Sequence, residues 1–437
     1  METKARLGAK EAHILLLVLL MLSDTIGSPA YSIAVVLYAA VLTVMFDPVY
    51  LLPACFLTTT IQSYFLITPS LSFSRILSLM FLAGCIIYKR TYYRSKLSLF
   101  LIVFAFYHVC SIFWSVSGNY TEPVSFAIGI AMVLFMASHK VDKTIAKDVY
   151  DLLFFMAYGF GMLLIILTII KHRELEGTQI VFDENLNANT ICSTLGMFAS
   201  MVYGKTLNQN AWRKWLNYLY VLVCAATILI GGSRTSLLTL IAVIIVLPFV
   251  IGKPEEGNAK RIITVIAFTL VALGVVYDLM LAEPELYKRF TFDPSTTRSV
   301  DRRIYVWEAL IKHIIPSNLW LGIGYGLENV RQAVTPYVSM VYHSHNMYLA
   351  ILSELGLVGM AQYLFLFAHV FTNIRRCINP GTVLALGLLL TGFVLGIGEE
   401  VINRRWFWLS VGFAYMFMRN HDAFDWQPDS RLIFGAK

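Results

Sequence analysis

Tyr342-His343-Ser344-His345-Asn346 runs straight into the apolar segment Met347 to Phe371. In a helix rising about 1.5 Å per residue, that segment is long enough to cross a hydrocarbon core about 30 Å thick. Apolar runs of similar length recur from one end of the 437-residue chain to the other. The composition agrees: 58% of residues are hydrophobic and only 14% are charged, against about 25% charged in an ordinary soluble domain. The short alternating strands of a β-barrel are absent from the pattern. The sequence therefore predicts an all-α polytopic membrane protein with about 12–14 transmembrane helices.

Fourteen candidate spans can be drawn, at 12–28, 31–46, 49–67, 74–88, 97–116, 122–138, 149–170, 188–204, 216–231, 235–252, 262–280, 346–371, 381–398 and 406–418. Pro29, Pro48, Pro53 and Pro69 interrupt the second to fourth, so a twelve-span reading stands beside it. The first span follows Lys4, Arg6 and Lys10, as a signal peptide would. A second span follows almost at once, so it reads as an uncleaved first helix.

Placing the N-terminus inside puts most of the 34 Lys and Arg in cytoplasmic loops, as the positive-inside preference requires. Seven of the remainder fall in one long outer excursion, 281–344. Positive charge held against the topological preference calls for another reason, and binding an anion supplies one. The net charge of +7 is scattered among loops, which fits topology and not a nucleic-acid surface. The six cysteines lie outside that excursion, and no structural disulfide is expected.

The chain reads as one membrane domain, 1–437, with a short outer loop at 171–187 and a large periplasmic or extracellular loop at 281–344. Within the large loop, Ile304, Trp307, Leu310, Ile311 and Ile314 have helical spacing. They predict an amphipathic helix over Arg303 to Ile315, closed by Pro316 and followed by the turn glycines Gly322, Gly324 and Gly326.

Several polar groups are placed for chemistry. Arg234 follows Gly231-Gly232-Ser233 at the start of a span, where a guanidinium beside free backbone N–H groups suits a phosphate. The ordinary alternative is an arginine snorkelling to headgroups. Arg298, Arg302 and Arg303 cluster before the amphipathic helix and suit a diphosphate by bidentate contact, or else form a solvated charge run. His345 sits at the first turn of a span, where the helix dipole favours the neutral imidazole that a general base requires. His343 is a second candidate. His343-x-His345 lacks a third ligand of obvious placement, so no metal is expected. Glu399 and Glu400 stand beside Arg404 and Arg405, either orienting a histidine, binding sugar hydroxyls, or forming an ordinary ion pair. Asp183, Glu184, Asn185, Asn187 and Asn189 suit sugar hydroxyls and helix capping equally.

These residues carry a resemblance. His345-Asn346, then nine residues, then Gly356-Leu357-Val358-Gly359 resembles the His-Asn/Ser-x9-Gly-x-x-Gly signature of the O-antigen ligase and O-antigen polymerase superfamily. Gly232-Ser233-Arg234-Thr235 resembles the family's arginine segment, and Arg303-x3-Trp307 with Gly322-x-Gly324 resembles its periplasmic-loop segment. The likeness covers roughly residues 180 to 400. Members of the superfamily are bacterial membrane glycosyltransferases that move a glycan from undecaprenyl diphosphate to an acceptor sugar hydroxyl, without metal or cofactor.

The resemblance implies that Arg234 and Arg303 hold the diphosphate, to which the arginine cluster itself adds Arg302 and Arg298 as candidates. The resemblance also implies that His345 activates the acceptor, with inversion at the anomeric carbon. His343 is an additional histidine that departs from the family pattern and competes for the role of base; it is read as accessory, with Asn346 and Glu399. Arginines would then neutralise the leaving group, a task metal-dependent transferases give to a divalent ion. The expected partners are the lipid-linked glycan donor, an acceptor glycan (a lipid-linked repeat unit or lipid A-core) and membrane lipids. The expected place is the cytoplasmic membrane with the site facing outward. The span count and two outer excursions lean slightly toward polymerase over ligase. A flippase of lipid-linked oligosaccharide is the competing class; it predicts charged residues and broken helices in mid-membrane.

Overall fold

The computed structural model describes residues 2–68, 71–88, 95–139, 141–174, 181–183, 186–206, 211–251, 298–338 and 343–424, with single positions at 263, 270, 274 and 277. Apart from those single positions, the span expected at 262–280 lies outside the described residues, as does all of 281–297. What is described is almost wholly helical. Two short antiparallel hairpins, Leu66–Thr68 with Leu71–Ser72 and Val181–Asp183 with Leu186–Asn187, are the described strands.

Six described helices are long and apolar enough to cross a membrane: Lys96–Trp114, Thr121–Ser138, Lys143–Lys171, Arg213–Ile230, Arg234–Ile251 and Met347–Arg376. Four shorter apolar helices, Pro29–Met45, Pro48–Thr60, Phe73–Ile87 and Pro380–Leu395, lie among them. Thus the count of 12–14 full-length spans is not reached among the described residues. The segment expected at 49–67 ends its helix at Thr60, and the chain then turns into the first hairpin. That early exit places Thr59 and Gln62 in the wall of the central cavity.

The helices that frame the site are β-free and closely packed. We label them α1 (Thr121–Ser138), α2 (Ala188–Thr206), α3 (Arg234–Ile251), α4 (Arg298–Ala309), α5 (Leu327–Val334), α6 (Met347–Arg376), α7 (Pro380–Leu395) and α8 (Arg405–Arg419). Helix α2 packs against α3 and α7, and α8 packs against α1 and α7. Small residues permit the approach: a Cβ on Gly387 of α7 would stand 3.1 Å from the Ser200 carbonyl oxygen of α2. The Thr391 hydroxyl donates to Ser200 Oγ across the same contact at 2.9 Å. This is the small-and-polar seam that holds helices together where lipid is as apolar as leucine.

Helix α6 is broken at Gly356 (φ 63°, ψ −163°). The freed backbone groups are taken up by the glycine-rich loop before α5. Ile323 N donates to Ser353 O at 2.9 Å, Gly324 N to Glu354 O at 2.9 Å, and Leu357 N to Leu319 O at 2.8 Å. The break is therefore closed by backbone from the outer excursion. Gly322 and Gly324, both with positive φ, let that loop lie against the helix.

The amphipathic helix forms, with its buried face rotated from the one expected: Leu310 and Ile314 are buried as the spacing predicts, whereas Ile304 and Ile311 are not. The helical run begins at Arg298 and continues through a π turn, Leu310–Ile314, to Ser317. Pro316 lacks an N–H and crowds the carbonyl four residues back, which accounts for the widened turn before it. Val306, Ala309, Leu310 and Ile314 are buried against Val330 and Val334 of α5. Ile304 and Ile311, expected on the buried face, are half exposed. The expectation counted apolar residues on α4 alone and omitted the partner face of α5, which selects Val306 and Ala309.

Candidate functional site

A cavity of about 460 Å³ opens where the start of α1, the end of α7, the start of α8 and the segment before α6 meet. Its wall carries four arginines, Arg75, Arg303, Arg404 and Arg405, three carboxylates, Glu122, Glu399 and Glu400, and both histidines, His343 and His345. That volume falls within the ordinary range for a small-molecule site.

The backbone of His345 is held from three sides. Its φ is 46°, and among the described residues it is the one non-glycine position in that region. Such a conformation costs about 1–3 kcal/mol and persists only where surroundings enforce it. Here Glu400 enforces it: its carboxylate accepts the His345 N–H at 3.1 Å and the Ser344 hydroxyl closer still. Trp307 of α4 donates its indole N–H to the Ser344 carbonyl at 2.6 Å. Asn346 then caps α6, accepting from Tyr348 N and Leu349 N at 3.0 Å each. Asn346 is thus occupied as a cap, and its Nδ2 reaches Ile397 O at 3.2 Å.

Burial, helped by the positive charge around it, keeps the imidazole neutral. Burial, then the positive fields of Arg303, His343 and Arg404, pull the His345 pKa down to about 4. Glu399 moves the other way: burial raises it to about 7, against the opposing pull of Arg404 and Arg303. Burial also raises Glu400, while its hydrogen bonds from Ser344 and His345 work against that rise. The two glutamates make no ion pair with Arg404 or Arg405 among the described residues, so the ordinary ion-pair reading gives way to the orienting one for Glu400.

Arg303 donates to the Gly398 carbonyl at 3.3 Å, which aims α4 at the end of α7. Arg234 is not in the cavity wall. Its neighbour Thr235 is close to it, because a Cβ on Gly398 would stand 2.8 Å from Thr235 Cγ2. The arginine segment, the α4 arginine and the histidine segment therefore converge around residues 396–400. Arg298 and Arg302 share α4 with Arg303, but their side chains lie outside the described residues. Asn187 and Asn189 both line the cavity, while Asn187 Oδ1 accepts from Asn189 N at 2.9 Å as a local turn.

Sequence reasoning passed over Arg75, Glu122 and Glu354. A lone Arg75 at the start of a short apolar helix reads as topology, and Glu122 in the first turn of α1 reads as a cap. Glu122 does act on a helix terminus: it accepts Leu327 N of α5 at 2.6 Å. Glu354, fully buried inside α6, accepts Gly326 N at 2.7 Å. An acid inside a span is a functional candidate by default, and that signal was available.

Residues 219–364 match the family described as O-antigen ligase (Wzy_C). The chain carries an O-antigen ligase domain. The matched segment contains Arg234, Arg303, both site histidines and the Gly356 break, whereas Arg75, Glu399, Glu400 and Arg404 fall outside it. No curated protein matches the chain. The ligase domain and the apolar helices together make this an integral membrane protein of the O-antigen ligase/polymerase type, with a role in surface polysaccharide biosynthesis.

Proposed function

We propose that this protein is a membrane glycosyltransferase that moves a glycan from undecaprenyl diphosphate to an acceptor sugar hydroxyl, on the outer face of the cytoplasmic membrane. The observation that carries the reading is the pairing of a neutral, backbone-locked His345 with Arg303 and Arg404 in one cavity. The arginines take the diphosphate, with Arg234 close behind, and Arg298 and Arg302 supplying charge from the same helix. His345 accepts the proton from the acceptor hydroxyl as its oxygen attacks the anomeric carbon. The bond from that carbon to the diphosphate oxygen breaks with inversion, and its electrons leave on the diphosphate. Guanidiniums already in place stabilise the charge that develops there without reorganisation. His343 and Glu399 flank this centre, and no divalent ion is required by the arrangement.

The polymerase form of the reaction, in which a growing chain passes to a new lipid-linked repeat unit, is slightly favoured over the ligase form. A reconstitution tests it: purified protein in lipid, with an undecaprenyl-diphosphate-linked repeat unit as the sole sugar source, and products resolved by chain length. A ladder of products is the expected result. Unchanged chain length on addition of a lipid A-core acceptor as well rules out both forms.

The break in α6 at Gly356 favours a second reading, a flippase for lipid-linked oligosaccharide. Backbone from the 319–326 segment fills that break, which argues for a fixed wall and not a moving gate. A flippase carries labelled lipid across a vesicle with its glycan length unchanged, and the same reconstitution reads that outcome.

A further inference from the structure

Arg404 and Arg405 are adjacent in sequence and line the same cavity, but have different neighbours. The positive charge of Arg404 acts on His345 and Glu399. Arg405 turns the other way, donating from Nη2 to Ser125 Oγ of α1 at 2.8 Å, and lies within the field of Arg75. Two guanidiniums of like charge repel, and burial adds to the cost for Arg405. Among the described residues Arg405 makes no ion pair, and its buried Nη1 has no hydrogen-bond partner. Asn403, in the same wall, leaves both Oδ1 and Nδ2 buried and unpartnered. Gln62 and Ser125 line the same cavity.

We propose that Arg75, Asn403 and Arg405 form a second anion subsite, separate from the one at Arg303, and that it takes a phosphate group borne by the acceptor. The inference rests on the glycosyl-transfer reading above and names its acceptor class. A doubly charged phosphate fits two guanidinium forks better than a singly charged carboxylate does. It also supplies acceptors for Arg405 Nη1 and Asn403 Nδ2, whose desolvation is otherwise uncompensated. With donor diphosphate at Arg303 and acceptor phosphate at Arg75 and Arg405, the two substrates share one cavity. His345, within the field of Arg303, meets the acceptor hydroxyl between them. Such a phosphate has two sources: the diphosphate of a lipid-linked repeat unit, or a phosphorylated sugar of a lipid-anchored core.

Native mass spectrometry of the full-length protein with undecaprenyl diphosphate counts the sites directly. The intact protein is expected to bind two lipids. Arg303→Gln removes one, Arg75→Gln removes the other, and the double variant binds none. Arg75 is exposed, so its substitution does not threaten folding, and Arg405→Lys, which keeps the charge, is the control for the buried partner. The second lipid should bind about 10- to 100-fold more weakly in Arg75→Gln, the loss expected for a charge-assisted contact. A lipid-free sugar phosphate that displaces one lipid from the intact protein, and none from Arg75→Gln, assigns the phosphate to a core sugar. If the sugar phosphate displaces nothing while two lipids bind, the acceptor is lipid-linked. One bound lipid, lost in Arg303→Gln and retained in Arg75→Gln, overturns the second subsite and leaves the donor site standing. No bound lipid at all overturns the donor reading itself.

Discussion

The carboxylate of Glu400 accepts the backbone N–H of His345 at 3.1 Å, and so holds a histidine in the left-handed region. A side chain after α7 thereby fixes the orientation of one before α6. Removing that carboxylate in Glu400→Ala leaves the His345 N–H without its acceptor, and the Ser344 hydroxyl with only the Asn346 carbonyl, at a cost of about 1–3 kcal/mol. The imidazole then samples other positions, and kcat is expected to fall about 100-fold while donor binding changes little. Glu400→Gln, which keeps an accepting oxygen, should recover most of the rate. Equal losses in both variants would show that the charge, and not the positioning, matters.

The pH dependence follows from the arginines around His345. Burial first, and then their fields, lower its pKa to about 4. A diphosphate bound at Arg303 and Arg404 cancels those fields, so the pKa rises toward its ordinary value. A histidine that works as a neutral base loses activity as pH falls through its pKa. The acid limb of kcat, which reports the complex, should therefore lie at higher pH than that of kcat/KM, which reports the free enzyme. Measuring both profiles in a Glu399→Gln background isolates this limb. The reverse order contradicts the placement of the donor beside His345.

Glu399 gives a separate effect. With its pKa raised to about 7 beside Arg303 and Arg404, it is ionised above neutrality and competes with the diphosphate for the same guanidiniums. Donor affinity should strengthen as pH falls from 8 to 6 and the carboxylate takes up a proton. In Glu399→Gln that dependence disappears, and binding at pH 8 is tighter than in the intact protein. Equilibrium binding of undecaprenyl diphosphate at the two pH values checks the sign.

Gly322 and Gly356 meet backbone to backbone. A Cβ on Gly322 would stand 2.3 Å from the Glu354 carbonyl carbon, and one on Gly356 would stand 2.3 Å from the Trp320 carbonyl oxygen. Neither neighbour is a flexible side-chain end. Alanine at either position is expected to cost about 1–3 kcal/mol from overpacking, with about 1–2 kcal/mol more for the left-handed backbone. Thermal melts in detergent should show both variants several degrees below Gly129→Ala, where the nearest atom to an added Cβ is 3.9 Å away.

The sequence carried the helices well because each is an apolar run ended by Pro, Gly or charge. The bounds expected at 188–204, 235–252 and 346–371 fall within a few residues of Ala188–Thr206, Arg234–Ile251 and Met347–Arg376. It carried Arg303, His343, His345 and Glu399 because their polarity stands out against apolar surroundings, and the cavity brings these four together. What it did not carry is pairing across the chain. Arg75 enters the wall only because the helix before it stops at Thr60, and Glu122 meets α5 from 205 residues away. The exposed Ile304 and Ile311 teach the same point: a helix's buried face is chosen by its neighbour as well as by its own period.

The central claim is that His345 performs chemistry on a donor held by the arginines. The most direct test measures, for one preparation of His345→Ala, both equilibrium binding of the lipid-linked donor and the rate of glycan transfer. The account predicts donor binding within about threefold of the intact protein and transfer reduced by about 100-fold or more, the range for loss of a general base. Transfer at the intact rate would contradict it. So would a loss of transfer matched by an equal loss of donor binding, since His345 would then be holding the donor and not activating the acceptor.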